Sequence, residues 1–212
     1  YNFTFNIPTK IHFGKDTISS LSELKAYGSK VLLVYGGGSI KKNGLYDTAM
    51  KILKDAGLTV FELSGVEPNP KIETVRKGVE ICKNEGIDMV LAIGGGSTID
   101  CSKVVAAGAR YDGDAWDLVL DGSKVKAALP IFDVLTLSAT GTEMDPFAVI
   151  SDMSKNEKWG TGSPYMVPTM SILNPEYTFS VSKKQTAAGT ADMMSHTMEN
   201  YFSMENADCQ KF

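Results

Sequence analysis

The chain lacks the features that would place it in several large classes of protein. Its three cysteines, Cys82, Cys101 and Cys209, are widely separated and form no CxxC pair, so neither a zinc ribbon nor a disulfide framework is expected. No basic stretch stands out and the net charge is -4, which argues against general nucleic-acid binding. No apolar run reaches the length of a membrane span, and no signal-peptide pattern opens the chain. These absences predict a cytoplasmic protein with reduced thiols.

A glycine-rich pattern, by contrast, occurs twice. Val31–Ser39 and Val90–Ser97 each combine an apolar strand with the letters GGGS, and a helix-like apolar spacing follows. Glycine lets the backbone turn sharply and approach another molecule, and a helix N-terminus offers unpaired N–H groups to an anion such as pyrophosphate. Ser97 or Thr98 can cap the second helix, while Asp100 can complete a capping box or accept a bond from the loop. One such turn could be a plain connection, but the repetition favours a bound nucleotide.

Strands and helices alternate from Lys30 to Ala109. This order predicts an α/β fold, a Rossmann-like parallel sheet with a ligand crevice at the carboxyl ends of its strands. The loop EPNP, residues 67–70, follows the strand TVFELSG and should meet the glycine loops in that crevice. The segment 110–125 is predicted to be an irregular connection, and AVISD with KWGTG predicts a β-hairpin.

The first glycine loop predicts which nucleotide is bound. Neither glycine run matches GxGxxG, because the third glycine is missing. The first loop also lacks an acidic residue at the strand end, where an NAD-binding fold places the partner of a ribose hydroxyl. Ser39, Lys41 and Lys42 stand there instead and could receive a 2′-phosphate. The sequence therefore favours NADP over NAD.

Hydroxyl groups follow a later apolar strand, LPIFDVLTL. The next letters, SATGTEMD, contain Ser138, Thr140 and Thr142, whose hydroxyls suit phosphate or ribose oxygens. Taken alone, the same letters also describe a simple turn with a helix cap.

The character of the chain changes at about Val181, where the βα alternation stops. Residues 1–181 are predicted to form the nucleotide-binding domain and residues 182–212 the start of a helical domain. Asp192 and His196 stand four apart, so on a helix they share one face and can bind one divalent metal ion. A pair at this spacing is more often a surface contact. His12, in an apolar strand, is assigned no chemistry.

The order and spacing of these motifs resemble the N-terminal half of an iron-containing alcohol dehydrogenase, most closely the butanol dehydrogenase branch. The segments that carry the resemblance are PTKIHFG, YGGGSIKKNG, EPNP, GGGSTID, LPIFDVLTLSATGTEMD, ILNPEYT and GTADMMSHTMENYF. The resemblance implies a dehydroquinate synthase-like fold, with a nucleotide-binding α/β domain and an all-helical domain. It also implies a metal ion, Fe²⁺ or Zn²⁺, in the cleft between the two domains.

The resemblance assigns roles residue by residue. Asp192 and His196 match two metal ligands, and YGGGS at the first loop resembles the members that prefer NADPH. The residues that match cofactor contacts are Gly37, Gly38 and Ser39 on the adenosine side, Gly95, Gly96, Ser97 and Asp100 at the pyrophosphate, and Asn69, Ser138, Thr142 and Lys158 elsewhere. The family needs two further histidine ligands, which we expect beyond Phe212. The chain as given is therefore expected to be an incomplete, inactive portion of the enzyme.

The resemblance implies a reversible, NADPH-dependent and metal-dependent reduction of short-chain aldehydes such as butanal. The metal would act as a Lewis acid, and the nicotinamide would carry the hydride. Two alternatives remain open: a polyol oxidoreductase similar to glycerol dehydrogenases, with dehydroquinate synthases sharing the same plan, or a non-catalytic nucleotide-binding fragment. A homodimer is expected, because the β-rich N-terminus offers an edge that a second subunit could extend.

Overall fold

The computed structural model describes residues 2, 4 and 6–202. The chain divides into two compact units, Tyr1–Tyr177 and Thr178–Phe212. The strands of the first unit are β1 (Lys10–Phe13), β2 (Lys30–Tyr35), β3 (Thr59–Leu63), β4 (Met89–Gly94), β5 (Ile131–Leu135), β6 (Phe147–Asp152), β7 (Glu157–Gly162) and β8 (Met170–Leu173). Its α-helices are α1 (Ser39–Lys42), α2 (Leu45–Asp55), α3 (Ile72–Glu85), α4 (Gly96–Gly108) and α5 (Ala115–Leu120). Short 3₁₀-helices span Thr17–Tyr27, Gly122–Lys124, Pro164–Met166 and Pro175–Thr178.

Six strands form one sheet in the order β1-β8-β5-β4-β2-β3. Every pair in this sheet is parallel, whereas β6 and β7 form a separate antiparallel hairpin. All residues of β4 and β5 are buried, which is typical of parallel strands covered on both faces. The predicted α/β fold with a parallel sheet and the predicted hairpin are both confirmed.

The core lies on both faces of the sheet, because successive side chains of a strand point to opposite faces. In β2, Leu32 and Val34 join a cluster with α3, α4 and α5. Val31, Leu33 and Tyr35 join a second cluster with α2 and the first 3₁₀-helix. The two layers hold the carboxyl ends of β2, β4 and β5 side by side, and the loops of interest begin there.

Two local predictions are wrong. The segment predicted to be irregular contains α5. Its N-cap is Asp114, whose side chain accepts a hydrogen bond from the backbone N–H of Trp116. A helix of six residues is too short to show a helical period, and burial of its apolar side chains stabilises it. Neither Ser97 nor Thr98 caps α4, because Gly95 is the N-cap and no side chain bonds there.

The first helix along the chain, Thr17–Tyr27, is a 3₁₀-helix. The β-rich N-terminus, FTFNIPTKIHF, contains β1. Phe3 and Phe5 lie outside the described residues.

The second unit contains α6 (Lys183–Phe202), none of whose residues is buried. The predictions for residues 203–212, including Cys209, lie outside the described residues. That residues 182–212 begin a helical metal-binding domain stays a prediction. Among residues 2, 4 and 6–202, no helix is both long enough and apolar enough to cross a membrane.

Candidate functional site

Four loops leave the carboxyl edge of the sheet next to one another. The first glycine loop follows β2, the EPNP loop follows β3, the second glycine loop follows β4, and the loop at residues 136–146 follows β5. Backbone hydrogen bonds join neighbouring loops: the N–H of Val66 donates to the carbonyl of Tyr35 at 3.2 Å, and that of Thr136 to the carbonyl of Gly94 at 2.9 Å. This edge is where open α/β sheets bind their ligands.

The second glycine loop is tightly packed at the start of α4. A Cβ at Gly94 would lie 2.5 Å from Thr98 Oγ1, and one at Gly95 would lie 3.2 Å from Leu137 Cβ. A Cβ at Gly96 would lie 3.3 Å from Thr140 Oγ1. The loop therefore has no room for side chains, and the first N–H groups of α4 remain available to an anion.

The first glycine loop is open where the second is crowded. Gly38 has φ 99°, a left-handed conformation that favours glycine. No atom lies within 4 Å of a Cβ built at Gly37 or Gly38. Ser39 begins α1 and is exposed. The loop thus leaves space into which a ligand could come close to the backbone.

Three of the predicted site residues meet although they are far apart in the chain. The Asn69 N–H donates to Ser97 Oγ at 3.3 Å, and Lys158 Nζ donates to Asn69 Oδ1 at 2.7 Å. Asn69 has φ 55°, a conformation that is uncommon outside glycine and often marks functional sites. The backbone N–H of Asn69 contacts the second glycine loop, and its side-chain oxygen contacts Lys158 of β7. Asn69 therefore links β7 to that loop.

Asp100 and Thr142 form a second group, below the glycine loop. The Thr142 hydroxyl donates to Asp100 Oδ1 at 2.6 Å, and Asp100 Oδ2 accepts from the N–H of Val149 at 2.9 Å. Burial raises the pKa of the Asp100 carboxyl, and these hydrogen bonds oppose the rise. The hydrogen bonds to Asp100 therefore come from the loop after β5 and from β6, and not from the glycine loop as expected. The Thr142 hydroxyl proton is already donated to Asp100, and Thr142 is buried.

Lys103 belongs to this group and was missed by the sequence analysis. It is fully buried, and its Nζ donates to Thr142 Oγ1 at 2.9 Å and to Asp145 Oδ1 at 2.8 Å. Burial lowers the pKa of Lys103, while its hydrogen bond to Asp145 opposes the fall. A lysine inside the apolar run of α4 was the available signal, since a buried lysine requires partners.

The first glycine loop has an acidic neighbour, contrary to expectation. Glu62 of β3 accepts hydrogen bonds from the Tyr35 hydroxyl at 2.7 Å and from the Tyr46 hydroxyl at 2.9 Å. Lys41 Nζ lies 5.0 Å and 4.6 Å from the centroids of the same two rings. The expectation of no acid at this strand end is wrong because the carboxylate comes from the neighbouring strand. Ser138, another residue that was expected to contact the cofactor, is exposed and follows β5.

The predicted metal ligands lie on α6. His196 Nε2 is 3.7 Å from Asp192 Oδ1, and His196 Nδ1 is 3.8 Å from Glu199 Oε2. Both predicted ligands are exposed. The part of the chain that the structure describes holds no group of three His, Cys, Asp or Glu side chains placed to bind a metal. Two ligands fit only part of a catalytic metal site, which has at least three protein ligands.

The chain is similar to several known proteins. The family described as iron-containing alcohol dehydrogenase matches residues 8–175. NADH-dependent butanol dehydrogenase A of Clostridium acetobutylicum is 62% identical over 95% of this chain and 52% of its own length. NADPH-dependent aldehyde reductase YqhD of Escherichia coli is 40% identical over 94% and 52%. The crystal structure of NADH-dependent butanol dehydrogenase A from Thermotoga maritima superposes with a TM-score of 0.90 at 49% identity, over 95% of this chain and 51% of that one. The chain thus spans about half the length of the curated relatives it matches.

Proposed function

Because this chain belongs to the iron-containing alcohol dehydrogenase family, we propose that it is the nucleotide-binding part of a metal-dependent alcohol dehydrogenase. The reaction is hydride exchange between NAD(P)H and short-chain alcohols or aldehydes such as butanol and butanal. The observation that carries the proposal is the meeting of Asn69, Ser97 and Lys158 at the N-terminus of α4. The names of the butanol dehydrogenases among its relatives support the substrate class.

In this proposal the pyrophosphate lies at the second glycine loop. The backbone N–H groups of Gly95, Gly96 and Ser97 are its donors, because a helix N-terminus attracts anions. Lys158 adds a positive charge, and its hydrogen bond to Asn69 fixes where that charge lies. Asp100 and Thr142 position the surrounding loops through their bonds to each other and to Val149.

The adenosine half of the nucleotide lies at the first glycine loop. Gly37 and Gly38 leave the backbone open, and Ser39 follows at the start of α1. The basic residues Lys41 and Lys42 support a preference for NADPH, since a 2′-phosphate is a strong acceptor for ammonium groups. The relatives carry both kinds of name, NADH-dependent and NADPH-dependent, so the preference needs a direct measurement.

Asp192 and His196 are proposed as two ligands of the metal, iron or zinc. Since they alone do not complete a catalytic metal site, no step of the reaction is derived through it. The chain's own residues bind the nucleotide, orient it and fix its charged groups, so that the nicotinamide presents its hydride at a defined position. A homodimer is part of the same proposal, because β1 forms an edge of the sheet whose backbone could pair with a second copy.

Nucleotide binding is tested by Gly37→Val. The new side chain enters open space, so the fold should be unchanged while the path of the nucleotide is blocked. We expect the Kd for NADPH, measured by fluorescence titration, to rise at least about tenfold, which corresponds to about 1.4 kcal/mol. Gly189→Val is the matched control, because a Cβ at Gly189 likewise enters open space and Gly189 lies on α6. Equal affinities in the two variants would refute this placement of the nucleotide.

The reaction is tested with metal-loaded protein that carries a complete ligand set. Oxidation of NADPH is followed with a series of aldehydes from acetaldehyde to hexanal. Activity that requires metal and is lost in Asp192→Ala, with the Kd for NADPH unchanged, is the expected result. No oxidation with any of these aldehydes would contradict the proposed substrate class.

A further inference from the structure

A polar cluster lies beside the first glycine loop, and of its members only Lys41 has a part in the function proposed above. We define it as Tyr35, Lys41, Tyr46 and Glu62, and call it the Glu62 cluster. Both carboxylate oxygens of Glu62 accept a tyrosine hydroxyl, at 2.7 and 2.9 Å. The Lys41 ammonium lies within 5.0 Å of both ring centroids, a distance at which a cation is attracted to an aromatic face. The same two tyrosines therefore hold an anion with their hydroxyl groups and a cation near their rings.

The position of Glu62 in the fold indicates what this carboxylate can do. β3 pairs in parallel with β2, and Glu62 lies opposite Leu33, near the end of β2. β3 is also the next strand along the chain after the first glycine loop and its helices. In α/β folds that bind dinucleotides, an acid about 20 residues beyond the glycine loop hydrogen-bonds the ribose 2′-hydroxyl. Glu62 occupies the corresponding strand.

We propose that Glu62 determines specificity at the 2′ position of the nucleotide's adenosine ribose. Its carboxylate favours a free 2′-hydroxyl and opposes a 2′-phosphate, whereas Lys41 favours the phosphate. The inference rests on the proposed function, because it requires that a nicotinamide dinucleotide binds at the first glycine loop.

The carboxylate is charged and fixed in place, as this role requires. The hydrogen bond from Tyr35, aided by those from Tyr46 and by Lys41, lowers the pKa of Glu62, so it is an anion at neutral pH. Each carboxylate oxygen has two lone pairs, so one remains on each oxygen for a ribose hydroxyl. Tyr35 is buried and anchors the carboxylate to the end of β2.

The expected effect is moderate because the cluster is partly exposed. Two unit charges several ångströms apart near a protein surface interact weakly, because water screens them. Removal of the Glu62 charge should therefore change the Kd for a nucleotide that carries a 2′-phosphate by about five- to tenfold. The ratio Kd(NADH)/Kd(NADPH) isolates this effect, since the two nucleotides differ only in the 2′-phosphate. A general loss of binding would change both constants and leave the ratio as it was.

The test replaces Glu62 with glutamine, which keeps the shape and an acceptor oxygen but removes the charge. In Glu62→Gln, titration of the chain with each nucleotide should give a ratio about five- to tenfold higher than in the unmodified chain. Lys41→Gln, a second exposed site, should lower the ratio by a similar factor. Glu80→Gln is the matched control, because it removes a surface carboxylate from α3 and should leave the ratio unchanged.

The outcomes separate this inference from the function on which it rests. If the unmodified chain binds both nucleotides and the ratio is the same in Glu62→Gln, the role of Glu62 is refuted and the proposed function stands. If the unmodified chain binds neither nucleotide, the proposed function itself fails. A ratio that shifts equally in Glu80→Gln would attribute the effect to net charge and would also overturn the inference. If the ratio depends on salt concentration and this dependence is weaker in Glu62→Gln, the result would support the role of Glu62.

Discussion

Replacing Lys103 with methionine would remove the fully buried ammonium that ties α4 to the loop after β5. Its Nζ has four acceptors at 2.8 to 2.9 Å: Thr142 Oγ1, Asp145 Oδ1 and the carbonyl oxygens of Asp145 and Phe147. An ammonium has three N–H donors and a neutral amine only two, so these surroundings select the charged form. Methionine has a similar length and flexibility, and the variant therefore tests the charge with little change in volume.

The contacts of Lys103 determine how much the free energy of unfolding should fall in Lys103→Met. Removing one partner of a buried ion pair costs about 3 to 5 kcal/mol. Asp145 is 30% exposed and still accepts from the N–H of Phe147, so it can be rehydrated and the lower end applies. A loss of about 3 kcal/mol lowers the Tm by roughly 6 to 12 °C in a chain of this size, at about 2 to 4 °C per kcal/mol.

Urea unfolding followed by circular dichroism measures this loss directly. Lys77→Met on α3 is the control, since Lys77 is exposed and its replacement should change stability by less than about 0.5 kcal/mol. The Lys103→Met variant should also bind NADPH less tightly below its Tm, because the loop that it anchors covers Gly96. An unchanged midpoint with an unchanged m-value would show that the buried charge adds no stability, and would refute the reasoning.

Two further predictions concern the core. Asp133 is fully buried, and burial raises its pKa well above the ordinary value. The Ser171 hydroxyl lies 2.6 Å from Asp133 Oδ2 and 2.7 Å from the carbonyl of Glu143, and since it has one proton, a protonated Asp133 satisfies both contacts. Above about pH 4 the folded chain thus keeps the Asp133 proton, which the unfolded chain loses. The stability that Asp133 contributes is therefore complete below about pH 4, and it is lost as the pH rises toward the raised pKa. Asp133→Asn should abolish that slope in urea unfolding between pH 4 and pH 8, and an unchanged slope would contradict the assignment. Gly78→Ala should destabilise the fold by about 1 to 3 kcal/mol, because the new Cβ would lie 2.6 Å from Val105 Cγ2; a thermal melt at or above that of the unmodified chain would show that α3 and α4 can separate to accommodate it.

The parts of the site that could be predicted from the sequence are those fixed by the backbone. Strands such as β4 and β5 are continuous apolar runs, and the alternation of strands and helices determines which strand ends meet. Once the sheet is parallel, the EPNP loop and the second glycine loop leave the same edge of the sheet, with only β2 between their strands. For that reason the meeting of Asn69 with Ser97 followed from topology, although no single motif specified it.

Contacts that depend on side-chain packing could not be predicted in the same way. Glu62 bonds to Tyr35, the residue before the first glycine loop, because β3 pairs with β2 in one particular register. The letters of TVFELSG do not specify that pairing. The partners of Lys103 are about 40 residues further along the chain. Helix α5 is too short to show a period, and its cap at Asp114 could equally belong to a turn.

The two glycine loops differ in a way that bears on how specificity can change. At the second loop every glycine is closed in by a side chain, from Thr98, Leu137 or Thr140, so a substitution there disturbs packing and binding together. At the first loop the space around Gly37 is empty, and the charges beside it are at the surface. Substitutions at this end can alter the recognition of the 2′ position at little cost in stability, because exposed groups contribute little to the free energy of folding. Under the proposed function, the adenosine end of the nucleotide is therefore the end at which the preference between NADH and NADPH can change while the site proposed for the pyrophosphate stays as it is.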